Sequence, residues 1–150
     1  ILCLRSNSRM RMPANKRTDA YLDVVEQAGL SALVREVEFV KPDDEKGAVV
    51  AKILDENPDI DGIFAGDDTM AAICLNVMKQ RGLSAPDDIK VVGADGARRT
   101  MTFMPDLTTV RQDIDRIGEL AAQSIIALIN GEKPESNIKL PVELIEGKTA

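Results

Sequence analysis

The chain contains no histidine and no tryptophan, and aromatic residues fill only 3% of its 150 positions. Without imidazole, Ser-His-Asp and Cys-His catalysis, histidine proton shuttles and every zinc site that uses a histidine ligand are excluded. No apolar run approaches the roughly 18 residues that a membrane helix requires, so no membrane partner is expected. Cysteine is scarce as well, with Cys3 and Cys74 the only two. They form neither a Cys-x-x-Cys pair nor the disulfide framework of a small secreted domain, which favours a reducing cytosol, and their apolar neighbours suit small buried hydrophobes. Positive charge is in deficit: 19 Lys and Arg against 25 Asp and Glu leave a net charge of −6. That is the wrong sign for a domain whose main task is gripping phosphate backbones.

What is present is a soluble, globular composition, 44% hydrophobic and 29% charged, at a length that suits one compact domain. Residues 1–5 read as a strand, followed by a polar loop to about residue 15 and an amphipathic helix over 17–27 that Gly29 stops. Residues 33–40 alternate as a strand. Pro42-Asp43-Asp44 then opens a helix with Val49, Val50, Ile53 and Leu54 on one side. A third unit follows: a buried strand over 62–66, a cap in Asp67-Asp68-Thr69, and a helix over 70–81 closed by Gly82. A fourth strand is expected over 89–94. Residues 97–106 look irregular, 107–110 read as a short strand, and the next helix carries Ile114, Ile117, Ala121, Ile125 and Leu128 on one stripe. The alternation at 138–145 suits an edge strand. Strands alternating with helices predict an α/β fold: an open, mostly parallel sheet with helices on both faces and an aliphatic core. Isoleucine at position 1, already inside a strand, leads us to expect the carboxy-terminal part of a longer protein.

In such a sheet, ligands bind outside the carboxyl ends of the strands. The candidates there are Arg5, Ser6 and Asn7, then Asp67 and Asp68, then Asp95 and Gly96, with Arg17 at the start of the first helix. Carboxylates and a guanidinium around one crevice can accept and donate hydrogen bonds to the hydroxyls of a sugar. Asp68, just before a helix, is expected to serve as its amino cap, leaving Asp67 and Asp95 freer for a ligand. Arg5, Arg9, Arg11, Lys16 and Arg17 make a basic cluster that could meet an anion such as a sugar phosphate, or could be a solvated loop. Asp43-Asp44-Glu45 is accounted for by the helix dipole, so no metal is expected. Asp67 and Asp95 could be a glycosidase pair, but nothing in the sequence gives either an apolar pocket, so no enzyme and no cofactor are expected.

Several motifs in order carry a family likeness. Arg17-Thr-Asp-Ala-Tyr21, Ile63-Phe-Ala-Gly-Asp-Asp-Thr-Met-Ala71, Pro86-Asp-Asp-Ile-Lys-Val-Val-Gly-Ala-Asp95, Leu107-Thr-Thr-Val-Arg-Gln112 and Leu140-Pro-Val-Glu-Leu144 span nearly the whole chain. In these the chain resembles the effector-binding core of the lactose-repressor and galactose-repressor family of bacterial transcription regulators. Asp67 stands where that family often has asparagine, and Ala94 replaces a common aromatic.

The resemblance implies a periplasmic-binding-protein-like subdomain, a fragment of a two-subdomain core. Residues 1–106 and 137–150 would form the carboxy-terminal subdomain, and residues 107–136 would belong to the otherwise absent amino-terminal one. Arg17, Asp67 and Asp95 would line the effector crevice, with Gln112 near the hinge. The apolar Met101, Phe103 and Met104 would sit in a homodimer interface. The helix after residue 112 would pack on another chain or fold back on residues 1–106. The whole protein is expected to be a cytoplasmic repressor that binds a sugar and, through an amino-terminal domain outside this chain, operator DNA. The alternative is a periplasmic sugar-binding protein of a transport system, which shares the fold.

Overall fold

The structure, a computed structural model, describes residues 1–7 and 13–150. Six strands form one sheet in the order β2-β1-β3-β4-β5-β6. They are β1 (Leu2–Asn7), β2 (Leu33–Glu38), β3 (Gly62–Ala65), β4 (Lys90–Asp95), β5 (Thr108–Gln112) and β6 (Val142–Ile145). The first five are parallel and β6 runs antiparallel to β5. Between them lie α1 (Pro13–Gln27), α2 (Asp43–Glu56), α3 (Asp68–Gln80), α4 (Arg98–Phe103) and α5 (Ile114–Ile129).

Side chains of β1 point alternately to two apolar layers, as the period of two in a strand requires. Leu2 and Leu4 face a large aliphatic cluster with Val50, Ile53, Met70, Cys74 and Val77 of α2 and α3, while Cys3 faces Tyr21 and Val25 of α1. Tyr21, the only tyrosine, fastens the edge of this second layer. Its hydroxyl donates to the Ile1 carbonyl at 2.8 Å and accepts from the Leu33 amide at 3.1 Å. Both cysteines are buried and unbridged, and burial pushes the Cys74 thiol up to about 12.

The parallel α/β reading of the sequence holds, with local differences. α1 begins at Pro13, so Arg17 lies past its first turn and not at its start. The stretch expected to be irregular contains α4, a helix of six residues too short to leave a periodic signature. The last strand begins at Val142 and not at residue 138, because Pro141 has no amide to give the ladder. β5 pairs with β4, Val92 opposite Thr108 and Asp95 opposite Arg111. The expected boundary after residue 106 therefore does not fall at the edge of this sheet, and it is α5 that stands apart. α5 does not fold back: it buries no residue, and Ile117, Ile125 and Leu128 of its stripe are exposed. Arg9 and Arg11 of the basic cluster lie outside the described residues.

Candidate functional site

The strand order reverses direction at β1, which lies between β2 and β3, and ligand crevices form at such switch points beyond the carboxyl ends of the strands. Gly66 and Asp67 follow β3 there, and Asp95 ends β4. Arg17 reaches across from α1: its Nη1 donates to the Gly66 carbonyl at 2.5 Å and its Nη2 to Asp95 Oδ1 at 2.6 Å. Gln112, at the end of β5, donates from Nε2 to the same Asp95 oxygen at 2.7 Å. Three of the four residues expected to meet an effector thus converge on one carboxylate, from α1, β4 and β5. Asp95 keeps about a third of its side chain in contact with solvent, and its backbone lies at φ +119°, a conformation non-glycine residues rarely adopt. Strain of this kind persists where surrounding structure holds it, and it concentrates at ligand sites.

The fourth residue, Asp67, is the amino cap of α3. Its side chain accepts from the Met70 amide at 2.8 Å. This corrects the expectation that Asp68 is the cap. With two aspartates in succession, only the backbone geometry decides which carboxylate curls back onto the free amides. Asp68 instead turns inward and is buried. Its Oδ1 accepts from the Thr109 hydroxyl at 2.5 Å and its Oδ2 from the Gly96 amide at 2.8 Å. Burial raises its pKa above the ordinary 3.8, and the charge of Asp95 adds to that rise; the bonds from Thr109, Gly96 and Ala97 work against it.

Sequence reasoning missed Thr109 and Gly93. A Cβ at Gly93 would lie 2.5 Å from Asp68 Oδ1, so the missing side chain makes room for the carboxylate. The signal was present in Val92-Gly-Ala-Asp-Gly96, where two glycines flank a candidate ligand residue in a buried strand.

Of the residues expected at a dimer interface, Phe103 is 76% exposed, whereas Met101 is half-buried and Met104 packs partly against the main core. Within the basic cluster, Arg5 is paired with Glu36 and Arg17 with Asp95. In the acidic run, Asp43 and Glu45 pair with Lys46 and Lys41. Among the described residues no cluster of three metal-ligating side chains occurs, and no helix is long and apolar enough to cross a membrane. A groove of about 850 Å³ is lined by Gly96, Arg98, Met101, Gln112, Ile114 and Val142. It adjoins the Arg17-Asp95 cluster without containing it.

The model of the periplasmic binding protein-like domain matches residues 1–150. The ribose operon repressor of Halalkalibacterium halodurans is 32% identical over 139 residues, which is 91% of this chain and 41% of that protein. The sucrose operon repressor of Pediococcus pentosaceus is 33% identical over 140 residues, 92% of this chain and 43% of that one. A LacI-family transcriptional regulator of Arthrobacter sp. FB24, solved in complex with lactose, superposes with a TM-score of 0.82 at 26% identity, covering 99% of this chain and 55% of its own. The chain spans less than half the length of these curated relatives. The match over every residue establishes that this chain belongs to the periplasmic-binding-protein-like domain family, and within that family it is similar to transcriptional regulators of the LacI family.

Proposed function

We propose that this chain is one wall of the effector cleft of a sugar-responsive transcriptional repressor. Arg17, Asp67, Asp95 and Gln112 would contact the sugar. The observation that carries this reading is the convergence of Arg17 and Gln112 on Asp95 at a strained backbone position beside the switch point of the sheet. Asp95 Oδ1 is held by Arg17 and Gln112 and Asp67 Oδ1 by the Met70 amide, which leaves Oδ2 of each carboxylate to accept from hydroxyl groups. The regulators named above, for ribose and sucrose and in complex with lactose, support a sugar as the effector.

In this reading the exposed stripe of α5 packs against segments of the polypeptide beyond this chain, which complete the second wall of the cleft. Phe103, with Met101 and Met104 behind it, contributes to a homodimer. Operator DNA is bound through an amino-terminal domain outside this chain, in the cytoplasm. Sugar binding closes the cleft and alters DNA affinity through a coupling of about 1–3 kcal/mol.

The test is calorimetric titration of the full polypeptide with ribose, sucrose, lactose and cellobiose, paired with operator binding. One of these sugars is expected to bind and to change operator affinity. Asp95→Ala should weaken that sugar by about 10- to 100-fold, the loss expected for a charge-assisted hydrogen bond, and leave sugar-free operator binding intact. An unchanged affinity in Asp95→Ala would remove this cluster from the effector site.

A further inference from the structure

We infer that Asp68 is the positioning residue of the effector site, a buried strut that holds the Asp95 turn and the end of β5 in mutual register; the inference rests on the proposed effector role of Asp95 and Gln112. Asp68 is the first residue of α3 and only 3% exposed, yet neither of its oxygens bonds within its own helix. One oxygen takes the amide of Gly96, the residue that follows the strained Asp95 and itself lies at φ +60°. The other takes the hydroxyl of Thr109, three residues before Gln112 on β5. A single carboxylate therefore spans the amino end of α3, the turn after β4 and the strand β5.

The surroundings fit this role. Gly93, whose missing Cβ leaves room for the carboxylate, is the register partner of Thr109. Gly96 is equally constrained, since a Cβ there would lie 2.5 Å from that of Arg111. The turn therefore rests against β5 on one side and is pinned by Asp68 on the other. Without the carboxylate, the Gly96 amide would lose its acceptor in a buried place. A buried unsatisfied donor is unfavourable enough to drive rearrangement of a strained turn. Asp95 would then move relative to Gln112. Asp68 thus acts on the ligand only through Asp95 and Gln112, and it does so at the step that keeps their side chains within bonding distance.

The experiment uses the full polypeptide labelled with nitrogen-15 and follows three readouts: exchange protection of the Gly96 amide, the side-chain amide resonances of Gln112, and affinity for ribose, sucrose, lactose and cellobiose. In Asp68→Ala, Gly96 is expected to lose protection, the Gln112 resonances to move, and the affinity for the sugar that binds to fall about tenfold. Asp68→Asn keeps an acceptor for Gly96 and should restore its protection and most of the affinity. A purely stabilising residue would lower the melting temperature without moving the Gln112 resonances of the folded protein. Unmoved Gly96 and Gln112 signals in Asp68→Ala, or shifted signals with unchanged affinity, would overturn the inference. Should Asp68→Ala not fold, Thr109→Val removes only one of the two bonds and is expected to move Gln112 while Gly96 stays protected; no movement of Gln112 would overturn the inference in that case too. If the wild type binds none of the four sugars, the proposed function fails, while the Gly96 and Gln112 signals still decide the role of Asp68.

Discussion

α3 and α5 are both amphipathic helices that leave the carboxyl end of a strand, and each opens on an aspartate cap. α3 buries seven of its 13 residues and α5 none of its 16. The difference lies in what faces them. The apolar side of α3 meets β4 and α2, which supply Val91, Val50 and Ile53 to a shared cluster. The stripe of α5 meets no apolar layer among the described residues, although Ile117, Ile125 and Leu128 repeat as regularly as Met70, Ile73 and Val77 do. Periodicity states that a helix needs a partner, and the partner need not lie in the same stretch of sequence.

Core truncation gives the largest effect and breaks the comparison most directly. Met78→Ala in α3 empties a site that is 1% exposed, and a loss of about 2–5 kcal/mol is expected by urea denaturation in this chain and in the full polypeptide alike. Ile125→Ala in α5 removes a side chain that is 59% exposed. In residues 1–150 alone it should change stability by less than about 0.5 kcal/mol. In the full polypeptide, where we propose that the stripe is covered, its effect should approach that of Met78→Ala; a small effect in both would show that α5 has no partner.

Glycines sharpen the contrast at the next level down. Gly93→Ala drives a methyl toward Asp68 Oδ1 and to 3.3 Å from Leu107 Cδ2, where overpacking should remove about 1–3 kcal/mol. Gly118 in α5 has nothing within 4 Å of the place a Cβ would take, so Gly118→Ala should stabilise α5 locally by about 0.5–1 kcal/mol through helix propensity, visible in residues 1–150 as slower amide exchange in that helix with an unchanged global transition. A loss of stability in the full polypeptide, read from melting curves of the wild type and Gly118→Ala, would place Gly118 under the partner of the stripe.

The two caps differ less. Asp67 accepts from Met70 at 2.8 Å and Asp113 from Arg116 at 2.9 Å, equivalent bonds worth about 1 kcal/mol each. Asp67→Ala should lower global stability by that amount, because α3 unfolds with the core. Asp113→Ala should fray only α5 in residues 1–150, visible as faster amide exchange at its first turn with an unchanged global transition. A common effect on the global transition would mean that α5 melts together with the sheet.

These contrasts also show what was legible beforehand. Short apolar runs bounded by Asp, Gly and Pro gave away the strands, because a sheet covered on both faces needs near-continuous apolar strands. The cluster of Arg17, Asp95 and Gln112 was legible through motif resemblance and through the rule that ligands meet strand carboxyl ends. The role of Asp68 was not, because Asp67 and Asp68 are the same residue type in the same local context and differ only in the direction each side chain leaves the backbone. α4 was invisible because six residues hardly complete a repeat. The membership of β5 in this sheet was hidden because pairing with β4 is a long-range fact that no local pattern encodes.

The smallest effect concerns the carboxylate at the head of α3. The unfolded chain ionises Asp68 near 3.8, whereas burial holds its proton to higher pH in the folded state. In the window just above 3.8 the folded protein therefore binds more protons than the unfolded one at this site. The contribution of Asp68 to stability is complete below that window and declines as pH rises through it. Asp68→Asn cannot titrate, and its amide oxygen can still accept from Gly96. The stability of the wild type minus that of Asp68→Asn, from urea titrations between about pH 3 and pH 7, should therefore fall as pH rises and then level off. Other carboxylates shape the acid limb of both proteins and cancel in this difference, for example Asp88, whose pKa is lowered by its bonds from Ser84. A difference that stays flat would mean that the bonds from Thr109 and Gly96 offset the effect of burial, so that the Asp68 carboxyl titrates as it does in water.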